Sequence, residues 1–142
     1  MDPRIRKSIL RFGGCMLMAL GILHLAVTPF ISQLIADNVT EAVAVRLTPP
    51  MLLNHVAVGI LLLPLGFMTF YAAPSAVAGE KWAVIITRVL AVTIAALPVV
   101  LFMLMGTRYF GAIPFIVATA IVCIAALALL AAAFGPKNPP AA

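Results

Sequence analysis

WAVIITRVLAVTIAALPVVLFMLM, residues 82–105, carries one charged side chain, Arg88, in 24 positions. A bilayer hydrocarbon core about 30 Å thick is crossed by roughly 20 mostly apolar helical residues, so this stretch is long enough to span it. Trp82 stands at its start, where an indole favours the membrane interface. The stretch repeats in kind. Residues 9–28, 51–72 and 112–134 are apolar runs of similar length, separated by short polar breaks. Over the whole chain 65% of residues are hydrophobic and 9% are charged, against roughly 25% charged in a soluble domain. The composition excludes a water-soluble globular domain. It predicts an all-α integral membrane protein, a four-transmembrane-helix bundle in which residues 1–142 form a single membrane domain.

The breaks are read from proline and polar spacing. Thr28-Pro29 is expected to stop or kink the first helix, because a proline withdraws a donor and clashes with the preceding turn. From Phe30 to Arg46, Ile31, Leu34, Ile35, Val39, Ala42 and Val43 recur at helical spacing opposite Ser32, Gln33, Asp37, Thr40, Glu41 and Arg46. This predicts a short amphipathic surface segment, 30–46, between helices 1 and 2. Asn38-Val39-Thr40-Glu41 has the form of an N-cap followed by an acid, so a new helix beginning at Val39 is the alternative within it. Thr48-Pro49-Pro50 opens the second span, Pro64 is expected to kink it, and 73–81 reads as a loop. Residues 106–111 read as a tight turn before the fourth span, which Gly135-Pro136 ends.

The net charge of +5 is unevenly placed. Arg4, Arg6, Lys7 and Arg11 precede the first span, Lys81 and Arg88 flank the second loop, and Lys137 follows the last span. The opposite side holds only Arg46 and Arg108. The positive-inside rule then predicts a multi-pass protein of the cell (inner) membrane with cytoplasmic N- and C-termini. The basic residues are read as topology signals and contacts with anionic lipid, not as a nucleic-acid surface. The partners expected are the lipid bilayer and either a second copy of the chain or a larger membrane complex. Gly111, Ala118, Ala125 and Ala132 form a small-residue stripe on the fourth span, and Gly13, Gly14 and Gly21 do so on the first. Such stripes permit close backbone approach within a bundle or between subunits.

Few residues carry chemistry. Asp2, Asp37, Glu41 and Glu80 all lie outside the apolar spans, which argues against a proton-coupled exporter built on an intramembrane carboxylate. Cys15 and Cys123 lie far apart in apolar runs and are read as packing residues. No glycine-rich phosphate loop, histidine–carboxylate cluster or serine–base set is present, so no catalytic residue is assigned. The informative pair is His24, near the outer end of the first span, and His55, just inside the second. If the first span ends at Thr28, both lie roughly 6 Å below the outer surface on antiparallel helices. If it continues to Ala36, His24 falls about 12 Å below the helix end and the match is lost.

Facing imidazoles suit axial ligation of haem b, or hydrogen bonding to a quinone head group. Met51, Met103 and Met105 fall near the same predicted level, which adds a thioether–imidazole copper site as a lesser alternative. The leading expectation is a four-span protein without a catalytic centre, acting as an accessory or assembly subunit or as a lipid-embedded packing element. A haem- or quinone-binding redox protein using His24 and His55 is the alternative, and an oligomeric small-molecule transporter the second.

Overall fold

The computed structural model describes residues 1–106 and 113–135; the side chains of Met105, Ala118 and residues 113–115 lie outside that description. The described chain is all helical: α1 (Pro3–Asn38), α2 (Glu41–Ala78), α3 (Lys81–Met105) and α4 (Ile113–Phe134). Three of these, α1, α2 and α3, are long and apolar enough to cross a membrane.

The first two helices are much longer than the spans expected within them. α1 has 36 residues and α2 has 38, so each is between about 50 and 60 Å long. The separate amphipathic segment expected over 30–46 is therefore not formed. Its first half belongs to α1, its second half to α2, and the chain reverses at Val39-Thr40. Stopping α1 at Thr28 would strand the last four carbonyls of a helix, whereas passing through Pro29 forgoes a single N–H. The same holds for Pro49, Pro50, Pro64 and Pro74, all within α2. Thr40, rather than Asn38, starts the new helix: its carbonyl accepts from the amides of Val43 and Ala44, both at 2.9 Å.

The expected loop at 73–81 contracts to two residues. Gly79 has φ 87°, a left-handed conformation open to glycine. Glu80 N–H bonds Ser75 O at 2.9 Å and Gly79 N–H bonds Ala76 O at 3.3 Å. This pair of bonds closes α2 as a Schellman motif. Trp82 then donates its indole N–H to Glu80 Oε2 at 2.7 Å.

The chain divides into two compact units, Met1–Gly14 with Met68–Ala142, and Cys15–Phe67. The first has a core of small side chains: Ala72, Ala73 and Ala76 from α2, Ala83 and Ala91 from α3, and Ala126, Ala132 and Ala133 from α4, with Leu10, Leu90, Ile94 and Leu129 among them. Alanines allow helices to approach closely, and the interior is filled by backbone proximity more than by bulk. Of the stripe expected on α4, Ala132 is buried and Ala125 half-buried, while Gly111 and the side chain of Ala118 lie outside the described residues. Gly13 is buried, and a Cβ there would meet Leu129. Cys15 is exposed, unlike the packing residue expected, and Cys123 is half-buried; both are free thiols.

The same unit holds the end of α4 with cations. Arg6, 6% exposed, donates from Nε to Ala132 O at 2.6 Å and from Nη2 to Ala133 O at 3.3 Å. Arg88 donates from Nε to Ala133 O at 3.4 Å and lies over the Phe134 ring at 5.1 Å. Carbonyls at a helix C-terminus have no partner within the helix and carry its negative pole. Guanidinium groups satisfy both needs.

Candidate functional site

The second unit is an antiparallel pair of helical arms, Cys15 onward in α1 and up to Phe67 in α2. Two glycines set their separation. A Cβ on Gly21 would lie 2.9 Å from Gly59 O, and one on Gly59 would lie 3.1 Å from Gly21 O and 2.8 Å from Leu25 Cγ. The backbones touch at this crossing, and any side chain there would push them apart. Gly59 was not singled out from the sequence, although Gly66 stands seven positions after it, the same spacing as Gly14 and Gly21, and that signal could have found it.

One turn further toward the reversal, His24 and His55 stack, with ring centroids 4.7 Å apart and planes inclined by 29°. Both are half-buried. Their level does not come from the helix end expected at Thr28. His24 lies 14 residues before the last residue of α1, and His55 lies 14 residues after the first residue of α2. Both arms extend past the expected boundaries by matched amounts, so the histidines stay in register even though α1 continues.

Hydrogen bonds determine which ring nitrogen carries the proton in each neutral imidazole. His24 Nδ1 lies 3.0 Å from Leu20 O, and His55 Nδ1 lies 3.0 Å from His24 O. A carbonyl only accepts, so both Nδ1 atoms are donors. Thr28 completes the arrangement: its hydroxyl donates to His24 O at 2.8 Å, and its oxygen lies 3.2 Å from His55 Nδ1, where it accepts. The His24 carbonyl, in the turn before Pro29, thus receives both the Thr28 hydroxyl and the His55 ring. With both protons on Nδ1, each Nε2 is left as a lone pair.

This geometry does not fit one iron held axially by both rings. Metal–imidazole bonds of about 2 Å on opposite sides of an iron place the rings end-on with the macrocycle between them. Stacked faces bound through Nδ1 to carbonyls leave no such slot. Among the described residues no group of three histidine, cysteine, aspartate or glutamate side chains is placed to hold a metal ion. Of the methionines named for copper, Met51 lies one turn from His55 and is exposed, Met103 belongs to the first unit and is 78% exposed, and the side chain of Met105 lies outside the described residues.

What the pair offers is two half-buried hydrogen-bond acceptors in an apolar wall, suited to a ligand that brings its own O–H or N–H. Comparison with protein-family profiles, with curated proteins and with solved structures finds no match to this chain.

Proposed function

We propose that this chain is an integral protein of the inner membrane that crosses the bilayer four times, has both ends in the cytoplasm, and binds the hydroxyl-bearing head group of a lipid-soluble hydroquinone at His24 and His55. The membrane reading is supported by the three long apolar helices and by α4, whose 22 residues make about 33 Å of helix. The basic residues in the first turns of α1, Arg4, Arg6, Lys7 and Arg11, and those around the α2–α3 turn support the orientation.

The observation that carries the ligand reading is the commitment of both Nδ1–H groups to carbonyl oxygens. The free Nε2 atoms accept hydrogen bonds and do not donate them, so they suit the O–H groups of a hydroquinone and not the carbonyls of the oxidised quinone. With spans near 9–28 and 51–72, the pair sits about 6 Å inside the outer hydrocarbon boundary, a depth reached by a ligand diffusing within the bilayer.

The test is an anaerobic titration of the detergent-purified protein with a short-tailed hydroquinone and with its quinone. The reduced form is expected to bind more tightly, and His24→Phe, which keeps a flat ring and loses the acceptor, to weaken it by roughly fivefold, the worth of one net hydrogen bond. Tighter binding of the oxidised form, or binding indifferent to His24→Phe, sinks the proposal.

The second reading is an accessory or assembly subunit. It rests on the arms of α1 and α2 beyond those spans, where Phe30, Leu34, Val43, Val45 and Leu47 are exposed. An apolar hairpin tip outside the hydrocarbon suits contact with another membrane subunit. That reading predicts a larger complex on mild solubilisation, broken by Phe30→Ser with Val45→Ser.

A further inference from the structure

Two cations converge on one neutral oxygen at the end of α4. Arg6 Nη2 and Arg88 Nε both donate to the carbonyl of Ala133, and Arg6 Nε also holds Ala132 O. Neither guanidinium pairs with a carboxylate among the described residues. The two acidic side chains of this unit are otherwise engaged: Asp2 Oδ1 accepts from the amides of Arg4 and Ile5 at the start of α1, and Glu80 accepts from Trp82. Nearby in sequence, Arg11 has its Nε buried without a hydrogen-bond partner and its guanidinium over the Phe70 ring at 5.1 Å.

The helix C-terminus supplies the equivalent of about half a negative charge. Two full positive charges brought onto it leave a surplus, and like charges at short range in a low-dielectric setting repel strongly. Arg88 is exposed and donates to Ala133 O from Nε, over the Phe134 ring, so that bond does not use its terminal N–H groups. A planar fork of donors beside a second guanidinium matches the oxygens of a phosphate.

We propose that Arg88, with Arg6 behind it, forms a binding site for a phosphate group at the C-terminal end of α4, carried by the head group of an anionic phospholipid or by free phosphate. Arg6 holds the helix end and contributes field, while Arg88 makes the direct contact. The site is separate from the histidine pair. Only its lipid-borne form rests on the membrane reading, which alkaline extraction of membranes tests independently.

The experiment is native mass spectrometry of the detergent-purified chain offered phosphatidylglycerol, phosphatidylcholine or inorganic phosphate. Wild-type protein is expected to retain phosphatidylglycerol over phosphatidylcholine, and Arg88→Gln to lose roughly fivefold of that retention, given about one interaction of Lys/Arg strength removed. Arg46→Gln, the same charge change on the other unit, should leave it unchanged, and Arg88→Lys, which keeps the charge, should preserve most of it. Retention of phosphatidylglycerol with this pattern supports the site and assigns it to lipid. Retention of inorganic phosphate alone, with the same dependence on Arg88, supports it and assigns it to free phosphate. Equal behaviour of Arg88→Gln and wild type in both arms, or an equal loss in Arg46→Gln, overturns it.

Discussion

Thr28 does the work of two partners. Its hydroxyl gives its proton to the His24 carbonyl and its oxygen faces His55 Nδ1, so Thr28→Val removes a donor and an acceptor with little change of shape. Interhelical hydrogen bonds between apolar helices contribute about 0.6 kcal/mol on average and at most about 1.7. A loss within that range is expected in the unfolding of the detergent-solubilised protein, and the Thr28→Val/His55→Phe double variant should lose less than the sum of the singles, because the residues share one network. The stacked rings also predict an absorption spectrum, oxidised and dithionite-reduced, without a b-type signal that depends on both histidines. At the crossing below them, Gly21→Ala places a methyl 2.9 Å from a backbone oxygen, and backbone yields less readily than a side chain. A loss of about 1–3 kcal/mol is expected, against little change for Ala19→Leu, whose site is exposed.

At the scale of elements, proline is the residue whose meaning changed. Pro29→Ala restores an N–H to a helix that already runs through this position, so thermal unfolding should occur at the same temperature or higher; a fall would mean that the helix needs its proline. Reading Pro29 and Pro49-Pro50 as boundaries treats each proline as a helix stop, which holds where water receives the freed carbonyls. Here the helix runs through Pro29, and the His24 carbonyl in the turn before it gains a threonine hydroxyl and a histidine ring as additional donors, the latter from a tertiary register that local spacing does not reveal. The apolar runs themselves were legible because hydropathy is a property of the residues alone. The histidines were legible as types and as neighbours, but their level was reasoned from a wrong helix end and survives because the second error matches the first. Arg6 left a fainter signal. It stands in register with Leu10, Gly13 and Leu17, all buried, an arginine on the inward stripe of its helix. Arg6→Met is expected to strand the Ala132 carbonyl and cost about 1–3 kcal/mol, more than Arg4→Met, whose site is exposed.

For the molecule as a whole, the four-span reading predicts that alkaline carbonate leaves the protein in the membrane fraction, and that reporters fused to either end are active only on the cytoplasmic side. A periplasmic reporter at one end alone would require an odd number of crossings. The contact between Arg6 and the last turn of α4 joins residues 126 and 127 positions apart. A ribosome delivers Arg6 126 residues before Ala132, so during synthesis this guanidinium waits without the oxygens it will finally hold. Its burial therefore depends on the arrival of α4, and a nascent chain halted before α4 should leave Arg6 open to an arginine-directed reagent that the folded protein excludes.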